Sequence, residues 1–274
     1  MSADMALLCI DAGNTMVKWC LHANAQQPFT AANDLRSEAT ASFKPFSDAL
    51  PAVLQHLGSS VQQAKSPIQA VLLSNVLGPD FEQAVRGLCD RHKLPLHVLT
   101  VNAHAQVQSA YENPASLGKD RWAACLAVSQ LSSADANLLV SFGTATTLDA
   151  LVKTGATWQH LGGFIVPGVQ TMFDSLHINT AELPQVELSQ PREGSVWPVG
   201  THQAISEGVA RTQTALIQSL LSEMHAECGQ EPTLWLSGGF APAMAAFLSG
   251  AMLLEHSVFK GLVFDYQLTR QGLA

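Results

Sequence analysis

Two stretches of the chain, 130 residues apart, share the pattern of an apolar strand, a glycine turn and a second strand. The first has the apolar run Ala6–Ile10, a turn over residues 11–15 and a second strand over Met16–Leu21. The second begins at Leu138 and has its turn glycine at Gly143. A repeat at half the chain length indicates a duplicated fold, because solenoid repeats have periods of only roughly 20–50 residues.

Strand and helix patterns alternate along the rest of the chain, which favours an α/β fold with a largely parallel sheet component. At 274 residues the chain has room for two domains, since a domain takes roughly 100–200 residues. We expect the boundary in the loop before Gly118, with domains 1–116 and 117–274. The further predicted strands are Ile68–Leu73, Leu96–Val101, Trp158–Val166 and Thr233–Ser237. The predicted helices are Phe46–Leu57, Asp80–His92, Asp120–Leu131, Gly168–Thr180 and Thr201–His225, with an alanine-rich helix after Gly239.

The charge and the composition argue against several classes of protein. With a net charge of −8 and only 14 Lys+Arg, the chain lacks a broad basic face, so we expect no nucleic-acid partner. No apolar run reaches the roughly 18–20 residues that span a bilayer, and the N-terminus lacks the features of a secretory signal, so we expect no membrane partner. The five scattered cysteines form no CxxC pair. They predict buried free thiols and a cytoplasmic location.

The turn Asp11–Thr15 has the residue types of a phosphate-binding loop. Glycine lets backbone N–H groups approach an anion, and Asn14 and Thr15 add side-chain donors. Asp11, at the end of a strand, is suited to hold hydrated Mg²⁺ on the phosphates. An ordinary hairpin turn is the alternative, although a second glycine turn at Gly143-Thr144 favours the phosphate interpretation. The patterns of P-loop, dinucleotide-binding and serine-hydrolase enzymes are missing.

Two further segments carry groups suited to ligand binding. At the predicted helix start Gly118–Trp122, Asp120 is a candidate base and Arg121 a candidate clamp for a carboxylate. The alternative for Asp120 is a favourable contact with the helix dipole. Gly238 and Gly239 follow a strand and permit close approach of adenine or ribose, or they form a simple strand-to-helix turn.

With these residues in place, the chain resembles the type III pantothenate kinases, which belong to the acetate and sugar kinase, Hsp70 and actin superfamily. The resemblance extends over nearly the whole chain and depends on the order and number of short motifs. The motifs are Asp11–Lys18, Tyr111–Ala124, Gly143–Asp149, Gly162–Gly168, Thr180–Pro184 and Ser237–Gly239.

The resemblance implies two tandem ribonuclease H-like (actin-like ATPase) domains with a cleft between them. It implies phosphorylation of pantothenate by ATP with Mg²⁺, in a homodimer whose substrate site is close to the subunit interface. Asp120 matches the proton acceptor of the family. The implied ATP contacts are Asp11, Ala12, Gly13, Asn14, Thr15, Met16, Val17, Lys18 and Thr144, with Gly238 and Gly239 bordering the adenosine. The implied pantothenate contacts are Tyr111, Gly118, Lys119 (in a position often occupied by Ala), Asp120, Arg121 and Thr180.

One residue departs from the family pattern. The family commonly has Asp where this chain has Ser141, and that Asp binds a monovalent cation. Since a hydroxyl is a neutral and weaker ligand, the requirement for K⁺ or NH₄⁺ is left open. A non-catalytic or weakly active transcriptional accessory regulator on the same fold is one alternative function. Another is a superfamily kinase or phosphatase that acts on a sugar or on acetate.

Overall fold

The computed structural model describes residues 5–29, 36–39, 50–191 and 196–272. The chain divides into two compact units, Met1–Leu131 with His256–Ala274, and Ser132–Glu255. The strands are β1 (Ala6–Ala12), β2 (Met16–His22), β3 (Arg36–Ala39), β4 (Ile68–Asn75), β5 (Leu96–Val98), β6 (Val107–Ser109), β7 (Ala136–Phe142), β8 (Ala145–Thr154), β9 (Thr157–Pro167), β10 (Thr233–Ser237) and β11 (Met252–Leu253). The helices are α1 (Leu50–Gln62), α2 (Pro79–His92), α3 (Lys119–Leu131), α4 (Val169–Asn179), α5 (Thr201–Cys228), α6 (Ala241–Met244) and α7 (Ser257–Arg270).

Each unit contains a five-stranded arrangement of the same topology. In the first unit the order is β3-β2-β1-β4-β5, with β1 antiparallel to β2 and parallel to β4. In the second unit β9-β8-β7-β10-β11 follow the same order, with β7 antiparallel to β8 and parallel to β10. This confirms the duplicated α/β fold that the repeated glycine turn predicts.

Side chains of the first sheet alternate between its two faces along each strand. Ile10 and Leu73 belong to an apolar core with residues of α1 and α2. The neighbouring positions point to the opposite face, because successive side chains of a strand alternate. On that opposite face α7 packs on β1 and β4, and α3 packs on β4. Asp11 therefore lies on the α3 side of the sheet.

The helix α7 was missing from the sequence predictions, although Phe259, Leu262 and Val263 have helical spacing and are buried. It packs along α3 as part of the first unit. A Cβ at Gly261 would lie 1.8 Å from the carbonyl oxygen of Ala123, so only glycine permits this approach of the two helices. The observed division therefore differs from the expected domains 1–116 and 117–274, because α3 and α7 pack together within one unit.

Most other predicted elements differ from the structure by one to three residues at their ends. The predicted strand from Leu96 ends at Val98, and the alanine-rich helix is a single turn, α6, followed by a short 3₁₀ helix. Residues 46–49 of the predicted helix Phe46–Leu57 lie outside the described residues, and the observed helix α1 ends five residues later than predicted, at Gln62. No helix in the described part of the chain combines the length and the apolar character needed to cross a membrane.

All five cysteines are free thiols, and Cys228 alone among them is not fully buried. The expectation of free cysteines, buried in the main, is confirmed. The cytoplasmic location stays a prediction.

A buried carboxylate connects α7 to the sheet and to the following loop. Asp265 is 1% exposed and accepts hydrogen bonds from His97 Nε2 at 2.5 Å and from His104 Nε2 at 2.8 Å. Burial alone would raise the pKa of Asp265, but the hydrogen bonds from His104 and His97 and the charges of both rings outweigh it and lower the pKa. The ionised form of Asp265 is thus preferred in the folded protein.

We expect Asp265→Asn to lower the free energy of unfolding by about 3 kcal/mol at pH 7, the contribution of hydrogen bonds to a buried charged group. Because the folded-state pKa is below the ordinary value, this stability is present above about pH 4 and is lost as the pH falls further. Urea unfolding of the variant at several pH values measures this loss of stability. The control is Asp90→Asn, a substitution at an exposed residue of α2. An equal difference from wild type at pH 7 and pH 3 would contradict the ionic role.

Candidate active site

The first glycine turn joins β1 to β2. The backbone N–H of Gly13 donates to the carbonyl oxygen of Met16 at 3.0 Å, and this bond leaves Asn14 and Thr15 at the tip. Asn14 is exposed. Ala12 and Val17 have side chains buried in the core, so a ligand at this turn meets only their backbone.

Asp11 lies at the end of β1, directly opposite Lys18 on β2. Burial raises the pKa of Asp11 to about 7, the negative charge of Asp120 contributes to the rise, and the Lys18 ammonium opposes it. The two carboxylates are therefore close enough to repel each other. A divalent cation near both would relieve this repulsion, and carboxylate oxygens are ligands that Mg²⁺ accepts. The donor set fits Mg²⁺.

Asp120 lies in the first turn of α3, and its carboxylate occupies the space beside Gly118. A Cβ at Gly118 would lie 2.7 Å from Asp120 Oδ1. The same oxygen accepts from the backbone N–H of Arg121 at 2.9 Å. The carbonyl of Gly118 accepts from the N–H of Trp122, which begins the helix. Glycine at position 118 therefore allows the observed carboxylate position.

Arg121 is only 7% exposed and contacts Tyr111 in two ways. Its Nη1 donates to the Tyr111 hydroxyl at 2.9 Å, and its guanidinium carbon lies 5.7 Å from the centre of the tyrosine ring. Lys119 is half-buried, and burial lowers its pKa. The structure thus brings Tyr111, Gly118, Lys119, Asp120 and Arg121 together in the first unit.

The second glycine turn joins β7 to β8 and is one residue shorter than the first. Gly143 N–H donates to Ala145 O at 3.0 Å, with exposed Thr144 alone at the tip. The Thr144 carbonyl accepts from Gly168 N–H at 3.1 Å and from Thr171 Oγ1 at 2.7 Å. A Cβ at Gly168 would lie 2.2 Å from the Gly143 carbonyl oxygen. The start of α4 therefore packs directly on this turn.

Gly238 packs on the same end of β7. Its φ is +88°, and a Cβ there would lie 2.3 Å from the carbonyl oxygen of Phe142. Both the backbone conformation and the close contact with β7 therefore require glycine at position 238, whether or not a ligand binds there. Gly239 has open space around its Cα, which suits the approach of a ligand.

Ser141 belongs to a row of hydroxyl side chains on adjacent strands. It pairs with Thr147 on β8 and with Ser237 on β10. Neighbouring residues in register point to the same face of a sheet, so the three hydroxyl groups share one face. Where the resemblance implies a carboxylate, this chain offers neutral oxygens.

Thr180 is not brought to the second turn. It follows the last residue of α4 and donates from Oγ1 to the Leu176 carbonyl at 2.8 Å. Thr144 contacts the opposite end of that helix, and 11 residues of helix span about 16 Å.

Three residues near these groups were absent from the predicted site residues. Gly168 and Thr171 hold the second turn, and Ser74 lies opposite Asp11 in the β1–β4 register. Gly168 directly follows the last residue of β9, and a glycine at the end of a strand is a sequence signal that could have identified it. The register of β4 against β1 is a tertiary property, and the sequence held no local signal for Ser74.

The chain is similar to known proteins of one family. A profile of the type III pantothenate kinase family matches residues 7–223. The type III pantothenate kinase of Cupriavidus taiwanensis is 30% identical over 260 residues, covering 88% of this chain and 90% of the relative. That of Burkholderia vietnamiensis is 30% identical over 267 residues, covering 94% and 93%. That of Azoarcus sp. is 32% identical over 248 residues, covering 89% and 83%.

Solved structures match at lower identity. A protein from Campylobacter jejuni, described as a conserved Baf family transcriptional activator, aligns with a TM-score of 0.55 at 18% identity, covering 97% of this chain and all of that one. An inorganic polyphosphate/ATP-glucomannokinase from Arthrobacter sp. aligns with a TM-score of 0.50 at 15% identity, covering 98% and 100%. At such identities the likeness shows the fold alone.

We expect Gly168→Ala to destabilise the second unit by about 1–3 kcal/mol, because the new methyl group would overlap the backbone of the second turn. The matched control is Gly239→Ala, since a Cβ there meets no atom within 4 Å. Calorimetric unfolding of both variants measures the difference. Equal transition temperatures would show that α4 does not hold the turn in the observed position.

Proposed function

The chain belongs to the type III pantothenate kinase family, and from this premise we propose how its residues transfer the γ-phosphoryl group of ATP to pantothenate. The acceptor is the primary hydroxyl, and the product is 4′-phosphopantothenate, at the first step of coenzyme A synthesis. The observation that carries the assignment of roles is the pair Asp11 and Asp120, two mutually repelling carboxylates on one side of the first sheet.

In this proposal Asp120 accepts the proton of the pantothenate hydroxyl. Its carboxylate has a defined position, since it is hydrogen-bonded by the Arg121 N–H and lies against Gly118. A general base contributes about 10²–10⁴-fold, and the remainder comes from positioning and charge neutralisation, as is usual for a loose phosphoryl-transfer transition state. Arg121, oriented by Tyr111, binds the carboxylate of pantothenate, and Lys119 is the second cation at this end of the site.

The two glycine turns supply contacts for ATP. The turn after Asp11 offers backbone N–H groups and the side chains of Asn14 and Thr15 to the phosphates. Thr144 offers its hydroxyl, and Gly239 leaves room for the adenosine beside Gly238. Asp11 is the residue that would hold Mg²⁺, through water. When bound, the ion would supply the neutralisation of phosphate charge that this acidic chain cannot provide with a broad basic surface.

The test of the reaction is transfer of labelled phosphate from ATP to pantothenate, with a sugar and acetate as competing acceptors. We expect transfer to pantothenate alone. Transfer only to a sugar or to acetate would overturn the choice of substrate, and no transfer to any acceptor would favour the alternative regulator.

We expect Asp120→Asn to lower kcat by about 10²–10⁴-fold with little change in ATP affinity, because the amide cannot accept the proton. Asp80→Asn is the matched control, since Asp80 is also an acid in the first turn of a helix, α2, and is exposed. Steady-state kinetics and calorimetric ATP binding measure both variants. Near-normal turnover of Asp120→Asn would remove Asp120 from the role of base.

We propose that any K⁺ or NH₄⁺ is held weakly, by the hydroxyl row around Ser141 and by carbonyl oxygens. The wild type should therefore show weak stimulation by K⁺. Ser141→Asp should need less K⁺ for half-maximal stimulation, because a carboxylate binds a cation more strongly than a neutral hydroxyl. Titration of activity with KCl against NaCl measures it, with Ser141→Ala as the control. A wild type strongly activated at low K⁺ would contradict weak binding.

We also propose a homodimer. Apolar side chains are exposed on the second unit at Phe164, Ile165 and Ile178, which are 53%, 63% and 76% accessible. Large apolar side chains exposed to this extent are common at protein–protein interfaces. Ile178 is two residues from Thr180, so an interface there places Thr180 at the subunit boundary. A solution mass of 29.2 kDa, that of one chain, would contradict the dimer.

A further inference from the structure

Ser74 is a fully buried serine whose hydroxyl has no hydrogen-bond partner among the described residues. It lies on β4 with 0% exposure. A buried hydroxyl without a partner loses its hydrogen bonds to water and gains none in return, so such groups are rare unless another state of the protein pairs them. Ser60, another buried serine of this unit, is paired. It accepts from Trp19 Nε1 and donates to the His56 carbonyl, both at 3.0 Å.

The register of the sheet places Ser74 beside Asp11. Ser74 on β4 pairs with Asp11 on β1, which in turn pairs with Lys18 on β2. Adjacent strands lie about 4.8 Å apart, and residues in register point to the same face. Asp11 is therefore flanked by an ammonium on one side and by the Ser74 hydroxyl on the other. A rotation about one side-chain bond is enough to aim a serine hydroxyl at a neighbour.

We propose that Ser74 is a positioning residue for Asp11: its hydroxyl donates to the Asp11 carboxylate when Asp11 is engaged with the divalent cation of the nucleotide. This inference rests on the proposed role of Asp11 toward Mg²⁺. The hydroxyl orients the carboxylate and does not itself contact ATP. The unpaired hydroxyl of the ligand-free protein thereby gains its partner in the loaded state.

The proposal predicts opposite effects on stability and on binding, which a purely structural serine would not give. Ser74→Ala should keep or raise the melting temperature of the ligand-free protein, since it removes a buried hydroxyl that has no partner. It should also weaken binding of Mg²⁺–ADP by about tenfold, the effect of one hydrogen bond to a charged group. Binding of ADP in the presence of EDTA should not change.

Isothermal titration of ADP with Mg²⁺ or with EDTA, together with thermal unfolding, tests these expectations. Ser60→Ala is the matched control. It should lower the melting temperature, because Trp19 loses its acceptor, and leave Mg²⁺–ADP affinity unchanged. Ser74→Cys keeps the size of the side chain with a weaker donor and should lie between wild type and Ser74→Ala.

Asp11→Asn separates failure of this inference from failure of the proposed function. Asp11→Asn should weaken Mg²⁺–ADP binding, and adding Ser74→Ala to it should have no further effect. If Asp11→Asn weakens binding and Ser74→Ala does not, the inference about Ser74 is wrong and the role of Asp11 stands. If neither substitution changes Mg²⁺-dependent binding, the role of Asp11 fails too. A lower melting temperature of ligand-free Ser74→Ala would also overturn the inference, because the hydroxyl would then have a structural role.

Discussion

The close packing of α3 against α7 is the constraint on which the candidate site depends. Gly261 has no side chain where α7 meets the backbone of Ala123, so the two helices approach as closely as their main chains allow. Residues Arg121–Val128 of α3 are all buried, and the helix cannot move without disturbing this contact. Since Asp120 and Arg121 lie in its first turn, their positions follow from a contact between backbones. Asp265 reinforces it by holding α7 to the two histidines.

The electrostatics of the site are local. In a chain of net charge −8, two carboxylates that repel each other lie on one side of the first sheet, where burial and the charge of Asp120 together raise the pKa of Asp11 to about 7. Such an arrangement is unfavourable in the free protein and becomes favourable once a cation binds. Of the basic groups in this unit, Lys18 lies opposite Asp11 and Arg121 donates to Tyr111. Together with Lys119 they are too few to form a broad positive field.

Local patterns were sufficient for most of the fold. The glycine turns, the alternation of elements and the helix start at Gly118 all depend on residues close in sequence, and most predicted element ends agree with the structure within three residues. The return of α7 to the first unit was missed, because its partner α3 lies more than 120 residues earlier and no local pattern encodes that pairing. Ser74 was not predicted for the same reason, because its proximity to Asp11 depends on the register of β4 against β1. For Gly238 the residues left a ligand contact and a strand-to-helix turn open, and the resemblance implied a position beside the adenosine. Its positive φ and its approach to Phe142 show that the fold itself requires glycine there.

The discontinuity of the first unit has a consequence for synthesis on the ribosome. Its sheet and α3 are complete by Leu131, but α7 begins at Ser257, after the whole second unit has been made. At about 5–20 residues per second, α3 waits on the order of 6–25 s for its partner. During that interval the apolar side of α3 that α7 later covers is uncovered, and a prematurely terminated chain never covers it. The helix that carries the candidate base is thus completed only when translation has passed both units, which links assembly of the site to production of the full chain.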